Sequence, residues 1–317
     1  MILLLSMMII PQTACSNGGG VPGGSSPKPV SREEFMLDTT CTLSVYRIAN
    51  EEGEIVSAED AEEAAEDAID SAFDKCRELE GLLSKTIEDS DISKLNAAGG
   101  EWVEVSGETL ELINKGIEYA ELSGGAFDIS IGGVTELWDF HADEGDQSLP
   151  SEEALAEAVK HVDYRNIETD GSKVRLKDPK TKLDLGGIAK GYIGDKAAEV
   201  LEGAGVASAI VNLGGNVICI GSKAEGTDFV IGVETPFSDR TEVLGTVEAA
   251  DATIVTSGIY ERKIEVGGKS YHHILDPKTG WPVSTDLDAV SVKYGKGQSV
   301  DADAVSTICL IKGYEEA

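Results

Sequence analysis

The chain has 317 residues and carries 26 basic residues against 58 acidic ones, which gives a formal net charge of −32. A nucleic-acid partner is therefore not expected, because phosphate binding needs clustered Lys and Arg. Hydrophobic residues make up 41% of the chain and charged residues 26%, which is typical of a folded domain.

The first apolar run is too short to cross a membrane. Residues 2–10 read ILLLSMMII, and a helix of this length rises only about 14 Å against a hydrocarbon core of about 30 Å. The run ends in Thr-Ala-Cys at Cys15, followed by a Gly/Ser/Pro-rich stretch. This pattern resembles a bacterial lipoprotein signal. It predicts a signal peptide over residues 1–14, lipidation of Cys15 and a flexible tether over residues 15–31. An ordinary signal peptide with an incidental Cys is the alternative.

Lipidation of Cys15 would place the protein on the extracytoplasmic face of a bacterial membrane. The four other cysteines form no CxxC pair, which argues against a zinc ribbon or a thioredoxin-like site. Two of them, Cys76 and Cys219, lie in apolar helical and strand patterns. We therefore expect buried free thiols rather than disulfides.

In the first half of the chain, alternation and β-branched residues predict a strand over residues 35–48. The acidic stretch that follows could be a disordered tail or a solvated helix face. Apolar residues at helical spacing favour a helix over residues 59–83. A second helix is predicted from an N-cap at Ser106 to Ser123, where two glycines end it.

In the second half, no repeat and no Gly/Pro-rich linker interrupts the pattern, which favours one α+β domain. The predicted elements are a surface loop at 134–150, a short helix opening at 150–153, a hairpin at 167–176, a helix at 188–201, mostly strands from residue 207, and a last helix from Asp301.

The segment DLGGIAKG at residues 184–191 joins a strand to a helix start. Free N–H groups at a helix N-terminus attract phosphate, Lys190 adds positive charge, and Asp184 adds a hydrogen-bond acceptor. The alternative is a glycine-rich turn capped by Asp184. The spacing fits neither GxGxxG nor GxxxxGK[ST], which excludes the Rossmann and Walker motifs.

The segment DADAVST at residues 301–307 places Asp303 and Thr307 one helical turn apart on a shared face. A carboxylate and a hydroxyl suit a hard cation such as Mg²⁺. Helix capping by Asp301 or Asp303, with Thr307 packed, is the alternative.

Two further segments carry candidate residues. In YHHILDPKTGWP, the adjacent His272 and His273 point to opposite faces of a strand, so at most one of them faces a given site. In SGGAFDIS, Asp128 follows a glycine pair and could accept a hydrogen bond from a ribose or a base. A structural histidine, and a helix C-cap leading into a buried strand, are the respective alternatives.

Taken together, these motifs resemble the ApbE family, the FAD:protein FMN transferases. The matching stretches are LDT at 37–39, SDISKLN at 90–96, GGAFDIS at 124–130, DLGGIAKGY at 184–192, NLGGN at 212–216, VTSGIYER at 255–262, HILDPKTGWPV at 273–283 and DADAVST at 301–307. The resemblance implies a single α+β, T-fold-like domain over residues 32–317, with mixed or antiparallel sheets packed by helices. Family members usually continue past DAxST, so it also implies C-terminal truncation.

The resemblance implies that FMN is moved from FAD to a Thr or Ser hydroxyl of a partner protein, with Mg²⁺ bound and AMP released. The implied partner is an acceptor protein of a membrane-associated electron-transfer system. The implied cofactor-binding residues are Leu37, Asn96, Ala126, Phe127, Asp128, Asp184, Lys190, His273 and Ile274. The implied metal ligands are the Gly187 carbonyl, Asp303 and Thr307, and the implied catalytic residues are His273 and Asp303.

Two positions depart from the family pattern. Leu37 stands where Met is common, and Thr86 lies where an aromatic residue often precedes the SDI segment. The general base is left open between His273 and a nearby carboxylate. Two other functions are also left open: a Mg²⁺-dependent FAD pyrophosphatase, in which water replaces the acceptor, and a non-catalytic flavin-binding lipoprotein.

Overall fold

The computed structural model describes residues 28–143, 145–223, 225–238 and 242–317. The predicted signal peptide, Cys15 and most of the predicted tether lie outside these ranges. The α-helices are α1 (Glu62–Leu83), α2 (Asp91–Ala97), α3 (Gly107–Ser123), α4 (Gly132–Thr135), α5 (Glu152–Ala158), α6 (Ala189–Gly203) and α7 (Ser299–Lys312). The strands are β1 (Val30–Met36), β2 (Thr39–Ala49), β3 (Ile55–Ser57), β4 (Val103–Glu104), β5 (Ile167–Asp170), β6 (Lys173–Leu176), β7 (Val206–Leu213), β8 (Asn216–Ile220), β9 (Phe229–Glu234), β10 (Val243–Ala249), β11 (Ala252–Gly258), β12 (Lys263–Val266), β13 (Lys269–His272) and β14 (Ala289–Gly295). None of the helices in these ranges has the length and apolar character needed to cross a bilayer.

The chain forms two compact units, each built from separate stretches of sequence. The first takes the described residues up to Cys76 together with Gly194–Ile254 and Lys293–Ser299, and the second takes Arg77–Ile193, Val255–Val292 and Val300–Ala317. Leu37 belongs to the first unit. All the other candidate site residues in the described ranges belong to the second.

One sheet has the strand order β1-β2-β7-β8-β11-β14, with β3 paired to β2. Its strands β1, β2, β3, β7 and β8 lie wholly in the first unit. The expected single strand over residues 35–48 is wrong, because the chain reverses at Leu37 and Asp38. Both residues have positive φ, 54° and 56°, which closes a two-residue turn between β1 and β2. Such turns are usually signalled by Asn or Gly, and neither is present here. Strand β1 also begins at Val30, inside the range expected to be tether.

Buried apolar residues lie on both faces of this sheet, with Ile210 and Cys219 on one face and Val211 and Ile218 on the other. One buried cluster of the first unit is Ile210, Val217, Cys219, Phe229, Ile231, Ala249, Ala252 and Ile254. Burial raises the pKa of the Cys219 thiol to about 12, so the thiol stays protonated. No disulfide joins the cysteines of the described residues, and Cys41, Cys76 and Cys219 are buried, as the sequence predicts.

In the second unit, α3 follows its predicted boundaries. The Ser106 hydroxyl accepts a hydrogen bond from the Thr109 amide, and Gly124 ends the helix with φ of 68°. The predicted hairpin is confirmed as β5 and β6, which pair in antiparallel register. Helix α2 was not predicted, because its seven residues are too few to show a clear period.

The segment after α3 lies beside the segment that leads into DLGGIAKG, where an isolated bridge between Ile131 and Lys182 replaces the predicted strand. The Gly132 amide donates to the Lys182 carbonyl at 2.9 Å, and the Asp184 amide donates to the Ile129 carbonyl at 2.8 Å. A Cβ at Gly132 would lie 2.7 Å from the carbonyl oxygens of Lys182 and Leu183, so only glycine allows this approach. The fold therefore brings the GGAFDIS and DLGGIAKG motifs together.

Candidate functional site

The two motifs make direct contact at Gly187 and Phe127. A Cβ at Gly187 would lie 2.8 Å from the Phe127 ring, too close for any side chain. The Phe127 ring is itself buried, with its amide donating to the Ser123 hydroxyl at 3.0 Å. Glycine at this position thus lets the turn before α6 rest on an aromatic ring.

Asp184 is held by donors on both carboxylate oxygens. Oδ2 accepts from Lys85 Nζ at 2.7 Å and from Thr135 Oγ1 at 2.7 Å, and Oδ1 accepts from the Gly186 amide at 2.9 Å. Burial raises the pKa of the Asp184 carboxyl, but the Lys85 charge and these hydrogen bonds outweigh it. The net pKa lies below its ordinary value, so the group is an anion at neutral pH.

Asp303 connects DADAVST to the start of α6. Its Oδ2 accepts from the Gly191 amide at 2.8 Å, and the residue is only 4% exposed. The expected alternative role of Asp301 as a helix cap is not seen. Asp301 instead accepts from Lys115 at 3.1 Å and from the Tyr119 hydroxyl at 2.8 Å, which ties α7 to α3.

Thr307 lies one turn after Asp303 in α7, where three hydroxyl groups meet. Ser257 Oγ, on β11, is 2.7 Å from Ser306 Oγ and 3.2 Å from Thr307 Oγ1. The Ser306 hydroxyl donates to the Asp303 carbonyl at 2.9 Å. A carboxylate and a hydroxyl stand on one helical face, as the spacing predicted.

This donor set fits a hard divalent cation, because carboxylate and hydroxyl oxygens are the ligands that Mg²⁺ prefers. Across the described ranges, His, Cys, Asp and Glu side chains do not gather in threes that could hold a metal ion. A cation at this site would therefore be held by the Asp303 carboxylate and by neutral oxygens such as Thr307 Oγ1.

His273 is fixed in one tautomer by the backbone. Both its amide, at 3.1 Å, and its Nδ1, at 3.2 Å, approach the Arg262 carbonyl. A carbonyl can only accept, so Nδ1 carries the proton and Nε2 carries the lone pair in the neutral ring. Burial, the nearby charges of Arg262 and Lys190, and His272 together lower the pKa of His273 to about 3. The ring is therefore neutral at physiological pH.

The segment after His273 is anchored by aromatic packing. Phe140 meets the His273 ring edge-on at 6.4 Å, and Trp138 stacks on Phe140 at 5.4 Å. Trp138 also donates from its indole nitrogen to the Gly280 carbonyl at 2.9 Å, fixing the DPKTG turn. These aromatic contacts, one of them on the imidazole ring itself, hold the segment that carries His273.

Two predicted cofactor-binding side chains are engaged by the protein itself. Asn96 donates to the Leu183 carbonyl at 2.9 Å and accepts from the Leu183 amide at 2.7 Å. Asp128 accepts from the amide and hydroxyl of Ser130, at 2.8 and 2.6 Å, and from the Tyr164 amide at 3.0 Å. Burial raises the pKa of Asp128 against the opposing effect of these bonds. Both side chains shape the backbone of the site.

The amides expected to face a phosphate at the start of α6 are also partly engaged. Gly186 donates to Asp184, Gly191 donates to Asp303, and the amides of Ile188 and Ala189 donate to the Leu185 carbonyl. Asp184 therefore caps the turn through the Gly186 amide, as the alternative interpretation predicts, while phosphate binding at the turn stays a prediction. Lys190 is half-buried in the same segment.

The other predicted residues are placed as follows. Ala126 is half-buried next to Phe127, and Ile274 is 8% exposed in a cluster with Val283 and Leu310. Leu37 lies at the β1–β2 turn of the first unit, in a left-handed conformation that is strained for a branched apolar residue.

Sequence reasoning missed Lys85, Thr135 and Ser257. Lys85 and Thr135 lie outside the quoted motifs, and only the fold brings them to Asp184. Ser257 lies inside the quoted VTSGIYER stretch, where its polar side chain in a mostly apolar strand was an available signal.

The fold is α+β, and its candidate site joins a glycine-rich turn to Lys85, through Asp184, and to Asp303, through the Gly191 amide. This set of groups suits an anionic, phosphorylated ligand with a hard cation. A model described as the ApbE family matches residues 37–317. The chain belongs to the ApbE family.

Relatives and solved structures agree with this assignment. A FAD:protein FMN transferase of Treponema pallidum is 33% identical over 315 residues, covering 94% of this chain and 83% of that protein. One of Klebsiella pneumoniae is 33% identical over 249 residues, covering 77% and 75%. The crystal structure of the ApbE protein of Thermotoga maritima matches with a TM-score of 0.79 at 33% identity, covering 90% and 87%. The apo flavinyl transferase ApbE of Pseudomonas stutzeri matches with a TM-score of 0.75 at 26% identity, covering 92% and 87%. The expected family and α+β class are confirmed.

Proposed function

We propose that this enzyme is a Mg²⁺-dependent FAD:protein FMN transferase that attaches FMN to a Thr or Ser hydroxyl of an acceptor protein and releases AMP. The observation that carries the proposal is the hydrogen bond from the Gly191 amide to Asp303 Oδ2 at 2.8 Å. It joins the glycine-rich turn with its lysine to the carboxylate–hydroxyl pair. The names of the curated relatives supply the reaction.

Asp303 and Thr307 would hold the cation, with the Gly187 carbonyl as a further ligand. When bound, Mg²⁺ offsets the negative charge of a pyrophosphate during phosphoryl transfer. Lys190 adds positive charge beside the turn. Phe127 packs under Gly187 and so supports the turn.

The reaction needs a proton acceptor, and His273 is the proposed one, through Nε2. The acceptor hydroxyl oxygen forms a bond to the FMN-side phosphorus, the bond from that phosphorus to the AMP oxygen breaks, and the hydroxyl proton passes to the base. With a pKa of about 3 the free ring is a weak base. Burial is the largest cause of this low pKa, and the charges of Arg262 and Lys190 add to it. Pyrophosphate charge beside Lys190 would offset that second contribution and so would raise the pKa of His273 when FAD is bound.

The acceptor is proposed to be a membrane-associated electron-transfer protein, and the enzyme to be lipid-anchored at Cys15 on the extracytoplasmic face. As a random coil, the fourteen residues between Cys15 and β1 would span only about 19–22 Å on average, so the acceptor must lie at the same membrane surface. The net charge of −32 disfavours an acidic acceptor surface.

The test is mass spectrometry of a co-expressed acceptor, with the parent compared to Asp303→Ala. We expect a covalent FMN adduct with the parent, none with the variant, and none after the acceptor hydroxyl is replaced by Ala. Formation of free FMN and AMP with no adduct would instead identify a pyrophosphatase. An adduct on Cys or His would refute the proposed chemistry.

A further inference from the structure

The three hydroxyl groups around Thr307 form a chain whose hydrogen-bond directions can be counted. Each hydroxyl owns one proton and can donate only once, although it can accept twice. Ser306 must donate to the Asp303 carbonyl at 2.9 Å, since a carbonyl has no proton to give. The proton of Ser306 is therefore used.

The remaining directions follow from that first one. Because Ser306 has already donated, its contact with Ser257 at 2.7 Å requires Ser257 to be the donor. Since Ser257 has then donated, its contact with Thr307 at 3.2 Å requires Thr307 to be the donor. The chain runs from Thr307 to Ser257, to Ser306, and ends at the Asp303 backbone.

Burial keeps water from replacing these partners. Ser306 is 0% exposed and Ser257 is 8% exposed, whereas Thr307 is half-buried at the end of the chain. A buried hydroxyl that lost its partner would be left unsatisfied, so the directions are enforced by the interior.

We infer that Ser257 and Ser306 are positioning residues that orient the Thr307 hydroxyl. Because Thr307 donates its hydroxyl hydrogen bond to Ser257, both lone pairs of Thr307 Oγ1 remain available to a cation. The same chain ends on Asp303, whose side chain is the other proposed ligand. This inference rests on the proposed function, because it gives a cause for the ligand role of Thr307.

The test compares cation binding in four variants, with Mn²⁺ alone as the probe and the free Mn²⁺ signal as the readout. Ser257→Ala removes the acceptor of Thr307. Ser306→Ala removes the acceptor of Ser257, so Ser257 can donate to Thr307 and occupy one of its lone pairs. Ser306 is not itself a proposed ligand, so any effect of this variant acts through Thr307. We expect both to bind Mn²⁺ about threefold to tenfold more weakly than the parent, the effect of one neutral hydrogen bond. Ser257→Thr, which keeps the hydroxyl, should restore binding.

The matched control is Thr256→Ala. Thr256 is the neighbour of Ser257 on β11 and its hydroxyl also makes a 2.7 Å bond, to Ser291, but outside the chain. It should bind Mn²⁺ like the parent. In FMN transfer, Ser257→Ala and Ser306→Ala should need more Mg²⁺ for half-maximal rate and recover the parental rate at saturation, which a general loss of structure would not produce.

Parental Mn²⁺ affinity in Ser306→Ala and in Ser257→Ala would overturn the inference, and so would an absence of Mn²⁺ binding by the parent. If Ser257→Ala fails to fold, Ser306→Ala decides alone. Failure of the proposed function looks different: the parent would form no FMN adduct at any Mg²⁺ concentration, whatever the order of Mn²⁺ affinities.

Discussion

Replacing Lys85 by Met tests whether the cation beside Asp184 stabilises the glycine-rich turn. The Lys85 and Asp184 side chains are 24% and 18% exposed and lie 2.7 Å apart. Removing one partner of such a pair should cost about 1.5–3 kcal/mol in the free energy of unfolding, because a charge-assisted hydrogen bond is lost in a poorly hydrated place. Urea unfolding at pH 7 measures this cost.

The pH dependence of the unfolding free energy follows from the direction in which the pKa of Asp184 is shifted. The folded-state pKa of Asp184 is depressed, so its contribution to stability is present above the unfolded-state pKa of about 3.9 and is lost as pH falls through the folded value. Without Lys85 that pKa should rise. The gap in unfolding free energy between parent and Lys85→Met should therefore narrow as pH falls through the raised pKa of the variant.

The matched control is Lys182→Met, two positions before Asp184. Lys182 pairs with Glu136 at the surface, where the side chains are 38% and 43% exposed. Exposed pairs contribute about 0–1 kcal/mol. Equal costs for Lys85→Met and Lys182→Met, or a gap that does not change with pH, would refute the reasoning.

Three further predictions follow from other parts of the structure. Gly187→Ala should weaken FAD binding in a fluorescence titration, because its Cβ would meet the Phe127 ring at 2.8 Å, whereas Gly133→Ala, with its nearest contact at 3.9 Å, should bind like the parent. Between pH 4 and about 6.5 the unfolded chain binds a proton at His273 that the folded chain does not, because the folded-state pKa is lowered. The unfolding free energy of the parent should therefore rise with pH in this range, and His273→Gln should reduce that rise. An unchanged slope of unfolding free energy against pH would contradict the neutral buried ring. Cys15→Ser should lose partitioning into detergent, and a variant that partitions like the parent would exclude the lipid anchor.

What could be predicted from sequence was local. Helix α3 shows its cap residues in the chain, Ser106 before it and Gly124 after it, and the structure uses both. The turn at Leu37 and Asp38 carries no such signal, because its conformation is imposed by the pairing of β1 with β2 rather than by the residue types.

In the candidate site too, sequence predicts the local features but not the long-range contacts. The motif order identified the segments that meet, but not the direction in which each polar side chain points. Asn96 and Asp128 were expected to face a flavin nucleotide, and the fold directs their hydrogen bonds to Leu183, Ser130 and Tyr164. Such choices depend on long-range packing, which a motif does not record.

The start of α7 is fastened from two sides: Asp301 binds Lys115 and Tyr119, and Asp303 binds the Gly191 amide. The helix cannot rotate about its axis without breaking one of these attachments. The entropy of ordering the Asp303–Thr307 face is thus lost when the chain folds, rather than when a cation arrives. Cation association at this face should accordingly show little of the heat-capacity change that accompanies ordering of a loose segment.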